Sequence, residues 1–217
     1  MSWLLDNFTL VTELALQHAR LSAVPIVVGL LASISLGWLA HRVRAARLIV
    51  LTSFSLIFTV PSLALFVLLP LVLNTRVLDE RNVIAAMSLY AIATMLRGAV
   101  DGFDHLSPGV TRSATALGYS PTGLFWKVQL PLAGPVLLAN LRVVSASTVS
   151  LVSVGALIGK GGLGYLFTNG FQRNHPTEIV VGIVAVLLLA LSFDVVLVLV
   201  GRAALPWIRN LGGTSPT

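Results

Sequence analysis

Five stretches of this chain are apolar for about as long as a lipid bilayer is thick, and that property decides most of what the chain can fold into. They lie at about 21–40, 48–72, 83–97, 135–158 and 177–200. Hydrocarbon offers no partners for backbone N–H and C=O groups, so stretches of this length become spanning helices. The expectation is an all-α integral membrane protein with five transmembrane helices. The third window, VIAAMSLYAIATMLR, is short and borrows length from 98–101. The second contains Pro61, which a packed membrane helix tolerates as a kink, so it reads as one helix. Composition agrees, with 56% apolar and 10% charged residues, a balance that a water-soluble domain would struggle to keep in solution.

Lys and Arg set the orientation. With the N-terminus outside, Arg42, Arg44, Arg47, Arg97, Arg112, Lys127, Arg202 and Arg209 fall inside, against Arg20, Arg76, Arg81, Lys160 and Arg173 outside. The excess, led by HRVRAAR at 41–47, favours an extracytoplasmic N-terminus and a cytoplasmic C-terminus. Residues 1–20, MSWLLDNFTLVTELALQHAR, then form an outer amphipathic segment. They lack a basic leader region and a cleavage site, and are expected to be retained. Segment 21–205 is the membrane domain, 98–134 its one long cytoplasmic loop, and 206–217 a cytoplasmic tail expected to be disordered. Outer acids Asp6, Glu13, Asp79, Glu80 and Glu178 nearly balance the outer bases, so the net charge of +6 is a topology signal that requires no nucleic acid.

The cytoplasmic loop is punctuated. Ser107-Pro108 reads as a helix start and Gly118 as a left-handed end; Ser120-Pro121 starts a second helix expected to reach Gln129 and stop at Pro131. By itself this could be a linker lying on lipid headgroups. Within it, however, Arg112-Ser113-Ala114, three residues, Gly118, nine residues and Val128-Gln129-Leu130-Pro131 match the spacing E-A-A-x-x-x-G-x9-I-x-L-P, and on these residues the chain resembles the permeases of ABC importers. The resemblance extends to the branch that imports glycine betaine, choline, carnitine and related osmoprotectants, through LALQHARLS at 14–22, VPSLALFVLLP at 60–70 and LRVVSASTVSLVSVGALIGKGGLG at 141–164. It departs at YAIATMLRGAV, 90–100, where that branch has a proline and Arg-Asn-Thr.

The resemblance implies a type I ABC importer permease fold working by alternating access. It implies docking of a cytoplasmic ATPase dimer beneath Arg112, Ser113, Ala114, Gly118, Tyr119, Ser120, Pro121, Val128, Leu130 and Pro131. It implies a second permease, identical or related, in the same bilayer, and an extracytoplasmic substrate-binding protein. Arg112 stands where the family usually has Glu, so a cation there calls for an acidic partner surface, unless it meets only headgroups. The alternatives are a permease for another solute, such as methionine or an amino-acid derivative, an ATPase-independent carrier, and a non-transporting scaffold.

Polar groups within the spans suggest a route. Thr52, Ser55, Thr59 and Ser62 recur at spacings of three, four and three, one helical face; Ser147, Ser150 and Ser153 add hydroxyls from the fourth span. They read either as a weakly polar translocation path or as small-residue packing. Arg142 and Asp194 lie at matching depth near the inner side, and either pair or snorkel separately. Gly159, Gly161, Gly162 and Gly164 satisfy G-x-G-x-x-G without a strand or βαβ unit, and read as a flexible outer turn near the binding protein. The chain has no P-loop, so ATP and Mg are expected only on the partner ATPase, with no cofactor on this chain. No residues show catalytic spacing and none a metal-ligand spacing, cysteine is absent, and the four histidines read as solvated or interfacial.

Overall fold

Gly29, Ser33 and Gly37 recur every four residues along the first long helix, and this stripe of small side chains organises the bundle. The structure is a computed structural model that describes residues 2–76 and 79–207, so the tail beyond Trp207, with Arg209, lies outside the described residues. A short α1 (Ser2–Asp6) precedes α2 (Phe8–Arg42), 35 residues in one helix through Pro25. The segment 1–20 is thus largely continuous with the first span. Along the stripe α2 closes on α5 (Glu80–Asp104): a Cβ added at Gly29 would stand 2.7 Å from Cβ of Ala91, and one at Gly37 2.9 Å from Cβ of Ala99. Between them the Ser33 hydroxyl donates to the Ile92 carbonyl at 3.3 Å. In lipid, where apolar burial drives little, such close backbone approach supplies the packing.

The second apolar window does not run as one kinked helix. α3 (Arg44–Thr59) and α4 (Ser62–Leu73) are bent by 109° at Val60-Pro61, which corrects the continuous reading. Proline disfavours helical backbone at the residue before it and cannot donate a helical bond. Val60 is extended, at φ −68° and ψ 129°. Its carbonyl, lost to the ladder, accepts the hydroxyl of Tyr90 from α5. Ser62 consequently lies beyond the break, and the four-hydroxyl stripe is not one helical face.

The loop between α5 and the fourth span holds α6 (Pro108–Ala116). Its end is a Schellman turn: Gly118 sits at φ +86°, its N–H meets the Thr115 carbonyl at 3.0 Å, and that of Tyr119 meets the Ala114 carbonyl at 3.2 Å. α7 (Pro121–Leu124) starts at Ser120, whose hydroxyl accepts the Gly123 N–H at 3.2 Å. It does not end at Pro131. A π turn over Phe125–Gln129 passes directly into α8 (Leu130–Val152), and Leu130 N–H reaches back to the Phe125 carbonyl. The wider turn absorbs the clash that Pro131 would make with the preceding turn of a regular α-helix.

At the far end α8 tightens into a 3-10 turn over Ser153–Ile158, followed by a glycine-rich turn, α9 (Tyr165–Gln172) and α10 (Pro176–Ala204). The glycines form a packed junction. Gly161, Gly162 and Gly164 are buried, and a Cβ at Gly162 would meet Cβ of His18 at 2.6 Å. His18 itself is fully buried, a correction to its solvated reading. Its Nε2 donates to the Val149 carbonyl at 2.8 Å and its Nδ1 accepts the Leu163 N–H at 3.2 Å. That carbonyl needs a donor because the 3-10 turn diverts the Ser153 N–H to Leu151 and Ser150.

Candidate functional site

The residues picked out by the loop spacing lie on one nearly continuous run of short helical segments. On α6, Arg112 and Ser113 are exposed, while Ala114 turns inward at 7% exposure. Among the described residues the Arg112 Nε bonds only within its own helix, donating to the Pro108 carbonyl at 3.4 Å. Val110, Leu117 and Tyr119 add exposed apolar surface on the same segment. No acidic residue occurs between Asp104 and Glu178, so the charge this segment presents is positive, among hydroxyl and apolar side chains. Behind it the π turn is anchored to the bundle. Leu124 is buried, Phe125 meets Trp38 edge-on at 5.0 Å, and the buried Gln129 accepts Trp38 Nε1–H at 3.0 Å. α7 is thus joined to α8 by continuous helical backbone and to α2 through Trp38. Asp104, at the same end, binds His41 at 2.7 Å and Arg47 at 2.5 Å, fixing the α2–α3 corner to the end of α5.

Two adjoining cavities of about 510 and 300 Å³ run along α3, α5 and α8, sharing Phe58 and Thr94. Of the expected path residues, Ser147 and Ser150 line the larger and Ser55 the smaller. Thr52, Thr59 and Ser62 do not line either, and the Thr59 hydroxyl is satisfied by the Leu56 carbonyl at 2.7 Å. Ser153 lies in the 3-10 turn with a buried hydroxyl that has no partner among the described residues. Sequence reasoning missed the α5 contribution, Tyr90, Thr94 and Arg97 at spacings of four and three. Tyr90 faces Phe58 edge-on at 6.0 Å, and Arg97 donates to the Ser55 hydroxyl at 3.4 Å. The signal was available: helical spacing applied to α5 gathers these residues on one face.

Arg142 and Asp194 meet across α8 and α10 as a bidentate pair, Nε to Oδ1 at 2.6 Å and a terminal nitrogen to Oδ2 at 2.8 Å. The geometry joins what separate snorkelling would leave apart.

Residues 26–210 match the family model described as the binding-protein-dependent transport system inner membrane component. The chain belongs to this family. The permease is 28% identical over 198 residues to the osmoprotectant import permease protein OsmW of Salmonella typhimurium strain LT2, covering 88% of this chain and 90% of OsmW. It is likewise 28% identical over 197 residues to the glycine betaine/carnitine/choline transport system permease protein OpuCD of Bacillus subtilis strain 168, covering 90% and 85%. Among solved structures, inward-facing MetNI methionine ABC transporter matches with a TM-score of 0.71 over 92% of this chain and 98% of that one. At 18% identity that likeness carries the fold alone.

In this permease the Arg142–Asp194 pair lies among apolar side chains of two spanning helices, where a lone charge is costly. Asp194→Asn or Arg142→Met alone is expected to lower the melting temperature of the detergent-purified protein more than the double variant Arg142→Met, Asp194→Leu, which leaves no charge unpaired. Equal losses in all three would show that the pair contributes nothing as a unit.

Proposed function

We propose that this permease is the membrane-spanning subunit of an ATP-driven importer of quaternary ammonium osmoprotectants. The observation that carries the reading is the match to OsmW and OpuCD along nearly the whole of each chain. In this reading the N-terminus lies outside and the C-terminus in the cytoplasm, and α6 to α8 form the coupling element. A partner ATPase dimer holds ATP and Mg, this chain has no catalytic site, and a second permease completes the enclosure. The path runs along the α3, α5 and α8 cavities, fed by an extracytoplasmic binding protein. Weakly polar walls of Ser and Thr suit a methylated cation that must pass without being held. The alternative of a methionine importer has no observation in its favour beyond a shared fold.

The α6 surface gives the reading a direct test. Its one cation, with no acid within α6 and the preceding Asp104 already paired with His41 and Arg47, fits an ATPase surface of opposite sign. The complex purified through a tag on this chain is expected to lose its ATPase on Arg112→Glu and on Gly118→Val, the second because a β-branched residue resists a left-handed turn. Arg112→Gln is expected to retain it with greater sensitivity to salt. Proteoliposomes of the intact complex should take up labelled glycine betaine or choline only with ATP inside the cytoplasmic-equivalent compartment. Uptake independent of ATP, or ATPase retention unchanged by both variants, would refute the assignment.

A further inference from the structure

A second groove, separate from the α3, α5 and α8 cavities, lies between α8 and α10. A cavity of about 370 Å³ is lined there by apolar Pro135, Leu138, Ala139, Val198 and Leu205, with Arg142 and Arg202 as its polar groups. A neighbouring cavity of about 400 Å³, bounded also by Leu30 and Ile34 of α2, shares Leu138, Gly201 and Leu205 and reaches Trp207. Gly201 lets Leu138 lie directly against the backbone of α10 where the two cavities adjoin. On the lipid-ready side of α10, none of the most apolar 18-residue window is buried within the chain.

The charges are arranged unequally. Arg142, at the deep end, is neutralised by both carboxylate oxygens of Asp194. Arg202, in the last turn of α10, is exposed and makes no ion pair among the described residues, and no Asp or Glu lines the cavity. From Pro135 to Arg142 the groove spans about 10 Å along α8, at the usual helical rise. Trp207 and Arg202 at the shallow end are residues of a membrane–water boundary, so the groove runs from headgroup level into the acyl layer. An apolar channel opening onto one unneutralised guanidinium at that level is complementary to a lipid that carries a negative headgroup.

We propose that the α8–α10 groove is a binding site for one anionic phospholipid, its phosphate on Arg202 and an acyl chain along Pro135, Leu138 and Val198. The neutral Arg142–Asp194 pair closes the deep end and draws no anion, which places the headgroup at the shallow end. A soluble anion would gain nothing from the apolar walls, and a zwitterionic lipid would gain the walls without the charge.

The test is lipid retention by the full-length protein, measured by native mass spectrometry from detergent with 1-palmitoyl-2-oleoyl phosphatidylglycerol or the phosphatidylcholine of identical chains. The natural protein is expected to favour phosphatidylglycerol about fivefold, and Arg202→Gln to abolish the preference. Ala139→Trp fills the groove from its exposed rim and is expected to lower retention of both lipids. Inorganic phosphate at millimolar concentration should not displace the bound lipid. Equal retention of the two lipids by the natural protein, or a preference untouched by Arg202→Gln, would overturn the proposal. So would copy-to-copy cross-linking through Ala139→Cys, the sole thiol in a chain without cysteine, because a second protein copy would then occupy the groove.

Discussion

His18→Leu is expected to destabilise the protein by about 3 kcal/mol, because leucine fills the volume of the imidazole and makes neither of its hydrogen bonds. Two backbone groups lose their partner together. The Val149 carbonyl has already given up its helical donor to the 3-10 turn, and the Leu163 N–H lies in a buried glycine-rich junction. A buried group left without a partner costs roughly 1–3 kcal/mol. Because the Nε2 bond needs a donor and the Nδ1 bond an acceptor, a single neutral tautomer serves both. Thermal unfolding in detergent should move down by about 10 °C for a chain of this size. His18→Gln can restore the donor to Val149 while the acceptor position shifts, so it should recover about half of the loss. An unchanged melting temperature for His18→Leu would mean that the junction is held by its glycines alone.

His18 also marks where sequence reading ended. The apolar windows located the spanning helices, because a requirement as general as backbone satisfaction in hydrocarbon leaves a signal averaged over many residues. The turn at Gly118 was equally legible, since a left-handed position needs glycine locally and α6 ends there by its own hydrogen bonds. A lone histidine carries no such signal. Its burial depends on a carbonyl 131 residues away, freed by a helix that changes its own pitch.

The two prolines make the same distinction in opposite directions. Pro61 broke a helix that sequence reading kept whole, while Pro131 failed to stop one that it expected to end. Each outcome depends on whether the freed groups find partners: Tyr90 takes the Val60 carbonyl at the first, and a π turn takes up the strain at the second. Neither compensation is visible from the proline itself. The path residues divide likewise. Ser55, Ser147 and Ser150 reach the cavities, but Ser62 was separated from its stripe by the break at Pro61, and the α5 side of the cavity needed a face that was never read.

The stripe of Gly29, Ser33 and Gly37 holds α2 against α5, since small residues at intervals of four in a membrane helix allow a close crossing. Gly29→Leu is expected to cost about 3 kcal/mol, through overpacking against Ala91 that neither helix can relieve without separating along its length. Gly37→Leu should cost a similar amount against Ala99, and because both act on one α2–α5 crossing the double variant should cost less than the sum of the two. Leu31→Ala, on an α2 side chain 61% exposed, changes volume nearby without touching the crossing and is expected to be close to neutral. Unfolding titrated with a denaturing detergent would separate these cases. If leucine at Gly29 were as harmless as alanine at Leu31, α2 and α5 could not approach as closely as the structure has them. The cavities lined by α5 would then lose the backing that fixes Tyr90, Thr94 and Arg97 in place.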